Sequence, residues 1–138
     1  VQATPFGTFT APLAKVELRA DGPRGHRLVG PIVGGRFEGP HLNADQRGTS
    51  AADWLLWGPD GTVVVDVRIS LRTDDGAFIQ VTYDGKADWS DGVGSGPVYS
   101  AFRFDTSDER YSWLTGRLVV GRAEVGPTQG VYTLSLLD

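Results

Sequence analysis

Between Ala52 and Asp84 the chain alternates apolar and polar residues in three runs. These are Asp53–Trp57, Thr62–Thr73 and Ala77–Asp84, separated by Gly58-Pro59-Asp60-Gly61 and Asp74-Asp75-Gly76. In the middle run Val63, Val65, Val67, Ile69 and Leu71 alternate with Thr62, Val64, Asp66, Arg68, Ser70 and Arg72. That is the period-two signature of a strand with one apolar face. A three-residue loop at Asp74-Asp75-Gly76, with its glycine left-handed, pairs Leu71 with Ile79, Ile69 with Val81 and Val67 with Tyr83. A two-residue loop would set Leu71 against Gln80, and a one-residue slip moves every side chain to the other face.

The first turn reads as a two-residue centre, Pro59-Asp60, with Gly58 paired to Gly61. Trp54 is then expected opposite Val65 and Leu56 opposite Val63. The other face places Asp53 opposite Asp66, with Arg68 on the diagonal and Asp84 across from Asp66 on the next strand. Like charges across a ladder are unfavourable. Arg68 neutralises the cluster, solvent screens it, or one carboxyl has a raised pKa and stays protonated. The first two describe a surface cluster; the third describes an acid–base site.

The remaining segments have strand-and-turn spacing. Strands are expected at Lys15–Arg19, Arg27–Val33, Arg36–Leu42, Val98–Phe104, Arg117–Glu124 and Val131–Leu137. Turns or bends fall at Asp21–Gly25, Gly34-Gly35 and Gly126-Pro127. Asn43–Ser50 and Gly85–Gly96 read as loops, and Thr106–Leu114 as the start of a short helix. The whole predicts an all-β fold: one domain, residues 1–138, forming a small antiparallel β-barrel of about eight or nine strands with one short helix.

Composition narrows the chemistry. The 138 residues contain no cysteine, which removes thiol nucleophiles, disulfides and Cys-ligated metals. A formal net charge of −4 without a basic cluster argues against nucleic acid. No apolar run reaches membrane-span length. Val1 is not an initiator methionine, so removal of a targeting segment stays open; the expected location is the cytoplasm.

Five motifs occur in order: Gly34-Gly35-Arg36-Phe37-Glu38-Gly39-Pro40, Ala52-Asp53-Trp54, Asp66-Val67-Arg68, Leu71–Ala77 and Arg110-Tyr111-Ser112-Trp113-Leu114. The series resembles the bacterial and fungal family catalogued as domain of unknown function 3237, over about positions 10 to 137. The resemblance implies a small β-barrel, often dimeric, found near aromatic catabolism and secondary metabolism, with no settled activity. His41 stands where the family usually has Arg, Ser50-Ala51 where it has Gly-Gly, and Thr115 where Asn is common. The Gly85–Gly96 loop is also shorter. These departures bear on ligand identity more than on fold.

Among single residues, Glu38 sits in a bent segment and could face a pocket or anchor a backbone amide. Asp75 has the position of a turn stabiliser. Trp54 reads as core or pocket wall, and Tyr83 as a hydroxyl at a strand end reaching ligand or solvent. Tyr111 and Trp113 follow the short helical turn, as pocket lining or plug. Arg103 could cross-link strands or bind an anion. His26 and His41 lack ligand spacing, so no metal is expected. No phosphate loop, dinucleotide fingerprint or nucleophile elbow is present.

Two functions remain. One is a cofactor-independent isomerase, cyclase or lyase that binds a hydrophobic, aromatic or polyketide-like molecule. Asp53, Asp66 and Arg68, with Glu38 next, would then be the catalytic candidates, and Trp54, Tyr83, Arg103, Tyr111 and Trp113 the substrate-binding ones. The other is a ligand carrier or dimeric scaffold. If the more apolar face lines the barrel, Leu55, Trp57, Val64 and Phe78 join the carboxylates outside, and a homodimer interface would explain that patch. The reverse orientation gives a lumen of aromatics and charges, the composition expected of a small-molecule pocket, and alternation alone does not choose between them.

Overall fold

The computed structural model describes all 138 residues. Its strands are β1 (Ala3–Pro12), β2 (Leu18–Gly22), β3 (Gly25–Pro31), β4 (Arg36–Glu38), β5 (Ala44–Arg47), β6 (Ala52–Trp57), β7 (Thr62–Thr73), β8 (Phe78–Asp88), β9 (Val98–Asp105), β10 (Val119–Val125) and β11 (Gln129–Leu137). The only helical element is a 3₁₀ turn at Ser112–Gly116.

Strands β7-β8-β9-β10-β11-β1-β4-β5 pair in that order, and β5 returns to β7. They close an eight-stranded antiparallel barrel. Length lets β7 serve two neighbours along one edge. Its Ser70–Thr73 end pairs with β5, and its Val63–Val67 end pairs with β6. Strands β6, β3 and β2 therefore leave the barrel wall as a three-stranded flap.

The β7–β8 register follows the alternation. Leu71 faces Ile79, Ile69 faces Val81 and Val67 faces Tyr83, with Gly76 at φ +95° in the loop. The β6–β7 register departs from the two-residue reading by one position. The Gly58 N–H donates to the Thr62 carbonyl at 2.9 Å, and Gly61 sits at φ +86°. The loop is thus Pro59-Asp60-Gly61, three residues like its successor. Asp53 faces Val67, Leu56 faces Val64 and Trp57 faces Val63.

That single step exchanges the faces of β6. Asp53, Leu55 and Trp57 turn toward the barrel, while Trp54 points out and is 53% exposed. The expectation that Trp54 is core is corrected here. Bulky apolar residues occupy both faces of β6, so alternation could not choose between them. The predicted outward patch dissolves as well. Leu55 is buried and Trp57 packs edge-on to Trp89. Val64 and Phe78 remain exposed but lie near opposite ends of the β7–β8 pair.

Two strands were not anticipated. The first, β1, carries Phe6, Phe9 and Ala11 into the core, with a register shift beside Gly7. The second, β5, lies in the segment read as polar loop. Its Gln46 is buried because its side chain bridges the Gly34-Gly35 bend: Nε2 donates to the Ile32 carbonyl (2.6 Å) and Oε1 accepts from the Gly35 N–H (2.9 Å). A polar residue inside is tolerated when its hydrogen bonds are made.

The core is an aromatic stack in an aliphatic wall. Phe9 stacks on Phe37 with centroids 4.2 Å apart, and Tyr83 on Phe102 at 4.4 Å. Fully burying one such side chain stabilises the fold by roughly 1.5–3 kcal/mol. At the Thr73 end of β7, the 3₁₀ turn plugs the barrel with buried Leu114.

Candidate functional site

A cavity of about 260 Å³ lies at the other end of β7, between the barrel mouth and the flap. The flap contributes Leu28, Gly30, Asp53 and Leu55; the barrel contributes Val65, Tyr83, Val98 and Tyr132. Leu13, Val16, Val93 and Pro127 come from the connecting segments. Fourteen of the nineteen lining residues are hydrophobic, and Asp53 is the only charged one.

The row that places Asp53 crosses four strands, β6 to β9. Val67 on β7 has Asp53 on one side and Tyr83 on the other, and Tyr83 in turn faces Phe102. Directly paired residues project to the same side of a sheet, so Asp53 and Tyr83 enter the same interior. The β6–β7 ladder opens between the Asp53–Val67 and Leu56–Val64 pairs. There the Asp66 backbone N–H donates to Asp53 Oδ1 at 3.2 Å.

Burial among apolar groups pushes the Asp53 carboxyl up to about 7, and the charge of nearby Asp66 adds to the effect. The Asp66 N–H opposes this, because it stabilises the carboxylate. Burial also raises the Tyr83 and Tyr132 phenols, so both remain O–H donors at neutral pH. Their rings meet edge to face at 5.5 Å. The Tyr132 hydroxyl shares a hydrogen bond with Ser100 Oγ at 3.1 Å. Trp89 closes the loop beside them by donating its indole N–H to the Gly96 carbonyl at 2.9 Å.

Of the residues singled out from sequence, only Asp53 and Tyr83 line this cavity. Asp66 and Arg68 are exposed on the outer face, where they border a shallow depression with Trp54. Glu38 is exposed beside Arg36 (3.5 Å). Arg103 is exposed and donates to Asp84 at 2.9 Å, the strand cross-link among the alternatives. Tyr111 and Trp113 belong to the plugged end. The Tyr111 hydroxyl donates to Asp75 Oδ1 (2.8 Å), and Trp113 packs edge-on to His41 (5.7 Å). Asp75 is a hub for its own turn and for that plug, accepting also from Thr73 Oγ1.

Sequence reading missed Tyr132 and Trp89. A signal for Tyr132 existed, since Tyr132, Leu134 and Leu136 share one face of β11 with Gly130. Trp89 carried none, because its loop has no periodicity.

These features define a closed antiparallel barrel whose flapped end holds one carboxyl and two phenols in an apolar cavity. The family model described as "Protein of unknown function (DUF3237)" matches residues 1–137, and the chain belongs to that family. A hydroalkoxylation enzyme from Penicillium herquei is 34% identical over 83 residues, 60% of this chain and 48% of that protein. The chain therefore matches about half the length of that relative. A β-barrel-like protein from Acinetobacter baumannii superposes with TM-score 0.87 at 30% identity, over 99% of this chain and 96% of its own. An enzyme from Penicillium herquei shares the fold with TM-score 0.65 at 24% identity, over 97% and 98% of the two chains.

Proposed function

We propose that this protein is a cofactor-independent small-molecule enzyme of the isomerase, cyclase or lyase type, with Asp53 as its acid–base group. The observation that carries the reading is the placement of Asp53. It is the sole charge in an otherwise apolar cavity and titrates at about 7, where a carboxyl can both give and take a proton. The related hydroalkoxylation enzyme supports the class of chemistry.

Hydroalkoxylation adds an O–H across a carbon–carbon double bond, and one carboxyl can serve it. Protonated Asp53 gives its proton to one alkene carbon as the hydroxyl oxygen forms a C–O bond to the other. The hydroxyl proton then returns to the Asp53 carboxylate. The sequence is redox-neutral and regenerates the acid. Where the alkene is conjugated with a ketone, Tyr83 and Tyr132 supply donors for the ketone oxygen, which gains enolate-like negative charge as the C–O bond forms. Isomerisation or elimination would use the same proton movements.

A thermal-shift screen of phenolic ketones, prenylated phenols and polyene-like compounds, with product analysis by mass spectrometry, tests this reading. Asp53→Asn should still bind the hits while product formation falls by at least a hundredfold. Binding with no product from either protein would make it a carrier instead. A homodimer is a separate proposal, resting on exposed Trp54 and Val64 of the outer face, and sedimentation measures it directly.

A further inference from the structure

The lining of the Asp53 cavity also bears on what can enter it, if that cavity is the substrate site. No Lys, Arg or His is among the nineteen lining residues. The arginines are placed elsewhere: Arg36 pairs with Asp74, Arg103 with Asp84 and Arg110 with Asp108. An entering carboxylate would find no cation, and would meet Asp53 in a poorly solvated space. Burying an unpaired charge is strongly unfavourable, and a like charge adds to it.

Neutral oxygen is treated differently. No protein group hydrogen-bonds to the Tyr83 hydroxyl, although the ring is buried at the cavity wall. Either partner can be the donor between Ser100 and Tyr132. If Ser100 donates, the Tyr132 proton is also free for a ligand. Both phenols keep their protons at neutral pH. The cavity is thus equipped to donate to a carbonyl or phenolic oxygen.

Size sets the remaining limit. A cavity of roughly 150 Å³ holds benzene, so one of about 260 Å³ accommodates two rings with small substituents. We propose that the site selects uncharged two-ring molecules carrying a ketone or phenol oxygen, held by Tyr83 and Tyr132, and rejects carboxylates. The selection deepens the enzyme reading by naming the substrate class, and it rests on that reading's choice of cavity.

Isothermal titration at pH 8 with 2-tetralone, 2-naphthol, 2-naphthoate, naphthalene and 2-naphthylmethylammonium separates the possibilities. Tetralone and naphthol should bind at least a hundredfold more tightly than naphthoate, and more tightly than the ammonium compound. Asp53→Asn should narrow the gap between naphthol and naphthoate at least tenfold by removing the like charge. Tyr83→Phe should weaken tetralone about tenfold while leaving naphthalene unchanged. Naphthoate binding as well as naphthol, the ammonium compound binding best, tetralone insensitive to Tyr83→Phe, or no binding of either neutral oxygen compound would each overturn the proposal. The expected preferences without turnover of any substrate would remove the enzyme reading and leave the selection standing. Turnover of a carboxylate substrate would do the reverse.

Discussion

Asp53 and Val67 face each other across the β6–β7 ladder, so the Asp53 carboxyl leaves the sheet on the side of the Val67 side chain. Val67 is 1% exposed. The carboxyl consequently shares an apolar interior, and its charge is what that interior disfavours.

A dependence of stability on pH follows. The folded-state pKa of Asp53 is raised, so its protonated form favours the fold. That stability is complete below the unfolded carboxylate range and is lost as pH rises through about 7. Urea unfolding should show wild type losing roughly 2–3 kcal/mol between pH 5 and pH 8. Asp53→Asn should abolish this slope and exceed wild type in stability at pH 8. A wild-type protein equally stable at both pH values would contradict the burial of this carboxyl.

The outward Trp54 and the inward Trp89 should respond very unequally to truncation. Trp54 is largely exposed, whereas Trp89 is 4% exposed and hydrogen-bonded to the Gly96 carbonyl. Trp54→Ala is expected to cost about 0.5 kcal/mol or less, and Trp89→Ala about 3–5 kcal/mol. Denaturation midpoints decide it. A large loss for Trp54→Ala would restore the alternative register, in which that side chain is core.

Two loop glycines with positive φ differ in their surroundings. A Cβ at Gly61 would come within 2.5 Å of the Ser90 Cα, whereas one at Gly76 would meet nothing nearer than Arg72 Nη2 at 3.9 Å. Gly76→Ala should therefore cost only the left-handed backbone penalty, about 1–2 kcal/mol. Gly61→Ala should cost clearly more and disturb the flap, which amide exchange in Ala52–Trp57 would reveal. Equal costs would mean that the Gly61 loop does not approach Ser90.

At the plugged end, Asp75 accepts from Thr73 and Tyr111 and lies 3.5 Å from Arg110. The Thr73 hydroxyl first, then Tyr111, hold its carboxyl below the ordinary value. Its stabilising effect is present above the unfolded carboxylate range and disappears as pH falls through the lowered value. Asp75→Ala should lower the Tm at pH 7, with a deficit that shrinks by pH 3. Ligand affinity at the far cavity should stay unchanged, and a loss of binding would show that the two ends are coupled.

The sequence by itself determined the all-β class and the β7–β8 hairpin. Strict alternation in Val63–Leu71 and a glycine-ended loop leave one register that pairs apolar with apolar. It also brought Asp53 and Tyr83 forward as candidates, though by a route the structure revises. Asp53 is perturbed chiefly by burial, with its Asp66 neighbour a lesser cause. Tertiary structure alone decided the face of β6, because Asp53-Leu55-Trp57 and Trp54-Leu56 are both rich in large apolar groups. A single residue of loop length then selects the inside. Closure decided the rest: only when β5 returns to β7 and β6 leaves as a flap do Asp53, Tyr83 and Tyr132, distant in the chain, line one cavity. Local pattern reports which side of a strand is apolar; which strands become neighbours depends on contacts that close the whole barrel.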